Sequence, residues 1–197
     1  MTSLEAALRK INTDLTRAHV PFALIGGLAV SVRTEPRFTR DADLAVALAT
    51  DAEAKALIHT LRSRGYRIEA VLEQHAVGRL ATVRLTLSGE PQAPVVDLLF
   101  ASSGIESEVV ADAEPIDLLP NVRIGVARTG HLIALKVLSR DDVGRPQDLV
   151  DLRALLRIAS PAELTRARQL LELIAARGYH RGRDLTADMN RLFAPPN

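Results

Sequence analysis

The sequence predicts an α/β (α+β) protein, a mixed β-sheet core flanked by helices over residues 1–127 with a helical part over residues 128–197. Three observations carry that reading. Leu80, Thr82, Arg84 and Thr86 interleave with Ala81, Val83, Leu85 and Leu87, the period-2 alternation of a half-buried strand. Two short apolar runs, FALI at 22–25 and VVDLLF at 95–100, have the length of buried strands. After Val126 the segments between breakers take helical spacing instead. A chain of 197 residues suits one good core plus a small helical appendage, so the boundary near Arg128 is soft and leaves room for one shared core.

Taken in order, Thr2-Ser3-Leu4-Glu5 has the form of a capping box. Leu4, Leu8, Ile11 and Leu15 then give a helix to about Ala18, which Pro21 ends. Phe22–Ile25 is a strand, Leu28–Arg33 a short helix, Thr34–Arg40 a loop, and Asp41–Leu48 a second strand. Asp51 is the expected cap of a helix that Gly65 stops. Strands follow at Tyr66–Leu72, Leu80–Leu87 and Val95–Phe100, and a strand-rich segment at Ile116–Val126 turns at Pro120-Asn121. In the helical part Thr129 is the expected cap of HLIALKVLSR, and a polar loop covers Asp141 to Arg145. Pro146 opens QDLVDLRALLRI, and Ser160-Pro161-Ala162-Glu163 opens a helix that ends at Gly178. A last helix covers about Leu185–Phe193, and APPN is a tail.

Composition removes several functions. There is no cysteine, hence no disulfide and no thiolate metal site. The five histidines never fall at metal-ligand spacing, which disfavours zinc. The first residues carry charges throughout and no later run approaches a membrane span, so the expectation is a cytoplasmic protein with no membrane partner. Net charge is only +1, yet residues 1–120 hold twelve Lys/Arg against sixteen Asp/Glu, while residues 121–197 hold thirteen against eight. An acidic half beside a basic half fits a metal site next to a polyanion-binding surface, and equally a chance excess of solvated arginines.

The stretch from Phe22 to Leu48 concentrates the chemistry. Gly26-Gly27 leads into a helix and presents bare backbone N–H groups suited to an anion. Asp41 and Asp43 lie two residues apart on a strand and so share a face. Asp97 interrupts the apolar run VVDLLF, where a carboxylate is costly unless it is paired or metal-bound. Three carboxylates on neighbouring strands suit Mg²⁺, which prefers oxygen ligands and shares them with phosphates. The competing structural reading pairs Asp97 with a buried arginine and leaves the D-x-D on the surface.

These residues resemble a family. GGLAV, RFTRDADLAV and VVDLLF, in that order, are similar to the signature of the polymerase β-like nucleotidyltransferases: a glycine pair, a short helix, D-x-D on one strand and a third carboxylate on the next. The form Arg37-x-Thr39-x-Asp41-x-Asp43, with the later LIALKVLSRDDVGRPQDLVDLRAL, resembles most the AbiEii-like and MenT-like toxin branch. The resemblance implies transfer of NMP from an NTP to an acceptor hydroxyl with release of pyrophosphate, using Mg²⁺, two ions with bound NTP. It implies RNA, often the 3′ end of tRNA, as acceptor, and a cognate antitoxin as partner. By motif position Asp41, Asp43 and Asp97 are the catalytic metal ligands, with Asp97 helping to deprotonate the acceptor. Gly26 and Gly27 hold the triphosphate. Related enzymes often have serine at the second of these positions, so Gly27 offers only its backbone.

Further candidates complete the nucleotide pocket. Lys136 stands alone among Leu132, Ile133, Leu135, Val137 and Leu138 and must find an anion. That anion is a nucleotide phosphate, or Asp148 and Asp151 on one face of the next helix, or both. Arg37 and Arg40 flank the D-x-D loop, and Thr39 is placed to brace the turn before Asp41. The basic segment Arg177–Arg183 suggests RNA phosphate contacts with Tyr179 stacking on a base. His131 is read as a cap or surface residue. Two rivals to the RNA-modifying toxin stay open: an aminoglycoside-type adenylyltransferase with the same metal site, and a non-catalytic nucleotide-binding module on the same fold.

Overall fold

The computed structural model describes residues 3–37, 39–87, 94–141, 144 and 146–193. The first strand, β1 (Phe22–Ile25), follows helix α1 (Ser3–Arg17) and runs directly into α2 (Gly26–Arg33). Next come β2 (Asp41–Val46), α3 (Asp51–Ser63), β3 (Tyr66–Gln74), β4 (Arg79–Leu87) and β5 (Val95–Leu99). Helix α4 (Glu106–Ala111) and the hairpin β6 (Glu114–Leu119)/β7 (Val122–Val126) complete the α/β part. Helices α5 (Thr129–Ser139), α6 (Pro146–Ile158), α7 (Pro161–Ala176) and α8 (Leu185–Arg191) follow.

The strands form one mixed sheet in the order β3-β4-β5-β2-β1-β7-β6. β2 is antiparallel to β1 and parallel to β5, and β1 is parallel to β7. Chain order therefore puts the D-x-D strand at the centre, between the glycine strand and the Asp97 strand. Ala42, Leu44 and Val46 point into the core, which sends Asp41 and Asp43 to the opposite face. Buried residues from α1 through α8, from Ala7 to Met189, form a single hydrophobic cluster. Among the described residues no helix is long and apolar enough to cross a membrane.

Several local expectations change. The capping residue of α3 is Thr50, whose side chain forms a reciprocal box with Glu53. Asp51 is instead drawn to β4, where it accepts from Arg79 Nε at 2.6 Å and from the Leu80 N–H at 3.0 Å. Thr129 does not cap α5; the carboxylate of Glu163, from α7, accepts from the Gly130 N–H. Ser160 does cap α7, accepting from the Glu163 N–H. Glu163 thus leaves its own box to satisfy a neighbouring helix. Helix α4 has no counterpart among the sequence expectations. Glu106 in its first turn accepts from the N–H groups of Ser102 and Ser103 and fixes the loop after β5. Thr2 of the expected capping box, residues 142, 143 and 145 of the polar loop, and the 194–197 tail lie outside the described residues.

Candidate active site

Register assembles the site. Asp43 pairs with Ile25 on one side and with Asp97 on the other, and Asp97 pairs with Arg84. Arg84, Asp97, Asp43 and Ile25 therefore form one row across β4, β5, β2 and β1, with Asp41 on the same face as Asp43. Ile25 leads straight into Gly26, so the start of α2 meets the carboxylate of Asp43.

That meeting is close. Gly26 has φ +65, a left-handed conformation, and a β-carbon there would overlap Oδ2 of Asp43. The Gly27 N–H bonds to Asp43. A β-carbon on Gly27 would strike Nη2 of Arg37, whose guanidinium covers the turn. Gly26 is required by conformation and by proximity, whereas at Gly27 the obstruction is the flexible end of Arg37. Thr39 donates to the Asp41 carbonyl at 3.4 Å, the local bracing role its position suggests.

Arg37, Lys136, Asp148 and Asp151 come together as one charge network. Lys136 Nζ lies 2.6 Å from Asp148 Oδ1 and 2.8 Å from Asp151 Oδ2. Arg37 Nη2 donates to the same Asp151 Oδ2 at 2.7 Å, and Gln147 donates to Oδ1 at 3.0 Å. Burial alone would raise the pKa of Asp151; the bonds from Arg37, Lys136 and Gln147 outweigh it and hold the carboxyl below its ordinary value. The lysine thus has its anions within the protein, and it also lines the cleft.

The cleft has a volume of about 580 Å³. Its charged lining comprises Arg37, Arg84, Lys136 and Arg181 against Asp41, Asp43, Asp97 and Asp148. Among the described residues four cations and four carboxylates line the cleft, and Asp151 stands behind them against Lys136 and Arg37. Within it the acids are concentrated. Desolvation first, and then the charge of Asp97, push Asp43 up to about 6, with Lys136 opposing.

Arg84 is the functional-site residue that sequence reasoning missed. It holds Asp97 by both oxygens, Nε to Oδ1 at 3.0 Å and Nη2 to Oδ2 at 2.7 Å. The pairing of Asp97 with an arginine was the structural alternative; it coexists with the D-x-D beside it. The available signal was the alternation of β4, which puts Arg84 on the polar face. The register opposite Asp97 is not readable from one strand alone.

The basic segment does not form the expected RNA platform. Tyr179 is buried and packs on Gly104, so its ring cannot stack on a base. Arg177 pairs with Glu108 and bonds the Gly104 carbonyl. Arg183 binds Asp188 and the carbonyls of Leu138 and Arg140. From this segment only Arg181 lines the cleft, within 3.4 Å of the Ser102 carbonyl. His131 is neither cap nor surface residue: it is fully buried, its Nε2 3.4 Å from Asp112 Oδ2 and misaligned for a hydrogen bond.

Similar architectures are known. A nucleotidyltransferase-like protein from Paracoccidioides brasiliensis superposes with a TM-score of 0.56 at 17% identity, over 95% of this chain and 92% of that one. The antibiotic-resistance factor ANT(2″)-Ia does so at 0.56 and 16% identity, over 90% and 94%. The lincomycin-bound lincosamide adenylyltransferase LnuA reaches 0.50 at 16% identity, over 79% and 98%. The fold is thus that of the polymerase β-like nucleotidyltransferases. The family described as nucleotidyl transferase AbiEii toxin, Type IV toxin–antitoxin system, matches residues 13–196, and this chain belongs to it. No curated protein sequence gave a significant match.

Proposed function

We propose that this protein transfers NMP from an NTP to an acceptor hydroxyl with Mg²⁺, that the acceptor is RNA, most specifically the 3′ end of tRNA, and that a cognate antitoxin restrains it. The row Asp43–Asp97, with Asp41 on the same face and Gly26-Gly27 against it, carries the reading. The oxygen-only donor set suits Mg²⁺, and a divalent cation would relieve what raises Asp43, first the burial of its charge and then the crowding by Asp97. Asp41 and Asp43 would hold the ion, with Asp97 beside them. Bound there, it would supply Lewis-acid activation and neutralise charge on the phosphates.

In the proposed reaction the acceptor oxygen forms a bond to the α-phosphorus as the bond to the β-phosphate bridging oxygen breaks. Pyrophosphate leaves with that electron pair. Asp97 takes the hydroxyl proton, the role its place at the end of the acidic row supports. Lys136 and Arg37, held by Asp148 and Asp151, orient the triphosphate. The basic excess of residues 121–197, thirteen Lys/Arg against eight Asp/Glu, favours a polyanionic acceptor such as RNA over a cationic aminoglycoside.

Purified protein with Mg²⁺ and labelled NTPs should label total tRNA, and Asp41→Ala and Asp43→Ala should each abolish the label. Labelling of an aminoglycoside instead would move the acceptor assignment. Absence of both transfer and NTP binding would overturn the enzymatic reading.

A further inference from the structure

Among the described residues no three His, Asp or Glu side chains are gathered as a ready-made metal site. In the acidic row both oxygens of Asp97 are occupied by Arg84. The guanidinium sits at the end of the row as a resident cation. Asp97 is buried while the Arg84 side chain is 47% exposed, so the arginine can leave and the carboxylate cannot.

We propose that Arg84 is a positioning residue that competes with the divalent metal for Asp97, so that metal loading requires the guanidinium to swing out of the row. The proposal rests on the nucleotidyltransferase reading for the identity of the metal, but not on the acceptor. A side-on guanidinium uses both carboxylate oxygens in its two hydrogen bonds, leaving only their outer lone pairs. A cation between Asp43 and Asp97 also meets the positive charge of Arg84 on the far side of Asp97. Removing Arg84 therefore frees a ligand and removes a repulsion together. Because β4 and β5 are joined along Thr82–Leu85 and Val96–Leu99, the displaced side chain swings from a fixed backbone.

The test is Mn²⁺ binding to the full chain, followed by electron paramagnetic resonance without NTP or acceptor. Arg84→Gln should tighten Mn²⁺ binding about tenfold or more, the scale on which groups bonded to a ligand alter metal affinity, with the sign reversed because Arg84 opposes the ion instead of orienting the ligand for it. Arg84→Lys, which keeps the charge but loses the fork, should fall between wild type and Arg84→Gln. In an Asp97→Asn background the gain should disappear. Circular dichroism establishes that each variant is folded, and Arg84→Lys carries the test if Arg84→Gln is not. Equal or weaker Mn²⁺ binding by the folded arginine variants overturns the proposal, because a merely structural pair would leave affinity unchanged or reduce it. The transfer assay on the wild-type protein reports separately: tightened Mn²⁺ binding by Arg84→Gln, with neither transfer nor NTP binding by wild type, sinks the functional reading and leaves Arg84 as competitor.

Discussion

Gly26 and Asp43 touch so closely that a β-carbon on the glycine would overlap the carboxylate oxygen. The contact joins the first turn of α2 to the central acid of the row. Gly26→Ala must both displace Asp43 and adopt a left-handed backbone at φ +65. The backbone term alone costs about 1–2 kcal/mol. In a chain of this size each kcal/mol lowers Tm by roughly 2–4 °C. Thermal unfolding of Gly26→Ala should show a drop of at least that order, with loss of nucleotidyl transfer. Gly27→Ala should keep the fold, because the obstructing group is the flexible end of Arg37, and should instead raise KM for NTP. Equal Tm losses for the two would refute the distinction.

Asp43 is the strained member of the site. Burial, and then the neighbouring charge of Asp97, raise it from 3.8 to about 6. Between those values the folded protein binds more protons than the unfolded chain, so metal-free stability falls as pH rises through that window. Asp43→Asn should therefore be more stable than wild type at pH 7.5 in EDTA, by roughly 1–3 kcal/mol. The advantage should vanish below pH 4. Added Mg²⁺ should stabilise wild type and leave Asp43→Asn unaffected. Urea unfolding at the two pH values decides it; a variant less stable than wild type at pH 7.5 would contradict the electrostatic account.

Asp151 and Asp148 divide the load around Lys136 unequally. Asp151 is almost fully buried and receives Arg37, Lys136 and Gln147, whereas Asp148 receives Lys136 and a weak contact from Ser139 at 3.4 Å. Asp151→Asn should cost about 2–4 kcal/mol, since breaking a buried pair strands its cations. Asp148→Asn should cost less than half as much. Chemical denaturation of both variants at pH 7.5 measures the ratio, and a larger loss at Asp148 would reverse the assignment of the anchor.

What the sequence made legible was local. Gly26-Gly27, Asp41-x-Asp43 and Asp97 each stand out by residue type against an apolar background, and Lys136 with Asp148 and Asp151 by helical spacing. The alternation of β4 and the apolar runs of β1 and β5 gave the mixed sheet for the same reason. What remained hidden was register and tertiary choice. Arg84 is one polar-face residue among several until β4 is set against β5. Tyr179 sits in a basic loop yet packs on Gly104, and Arg177 and Arg183 of that loop are taken by Glu108, Asp188 and backbone carbonyls. Glu163 has the spacing of a capping box, but α5 passes close enough to claim its carboxylate. Such choices depend on which elements meet, and no window along the chain contains that.

His131 supplies a pH dependence remote from the acidic row. Its imidazole is fully buried at the start of α5, facing Asp112 after α4, Glu163 and Arg166 on α7, and Arg128 before its own helix. Burial, the largest cause, lowers its pKa below 6.5, and the opposing charge of Asp112 does not restore it. A histidine lowered on folding binds fewer protons in the native state, so the stability it confers is present above 6.5 and is lost as pH falls through that value toward the folded pKa. Each pH unit across the window costs up to about 1.4 kcal/mol. His131→Leu keeps the apolar contacts and cannot take up the proton. Urea unfolding between pH 5 and pH 8 should show wild type losing stability toward pH 5 more steeply than His131→Leu, with the two curves parallel above pH 7. Parallel curves over the whole range would mean that Asp112 accepts the imidazolium without penalty, and that the buried histidine has no influence on acid stability.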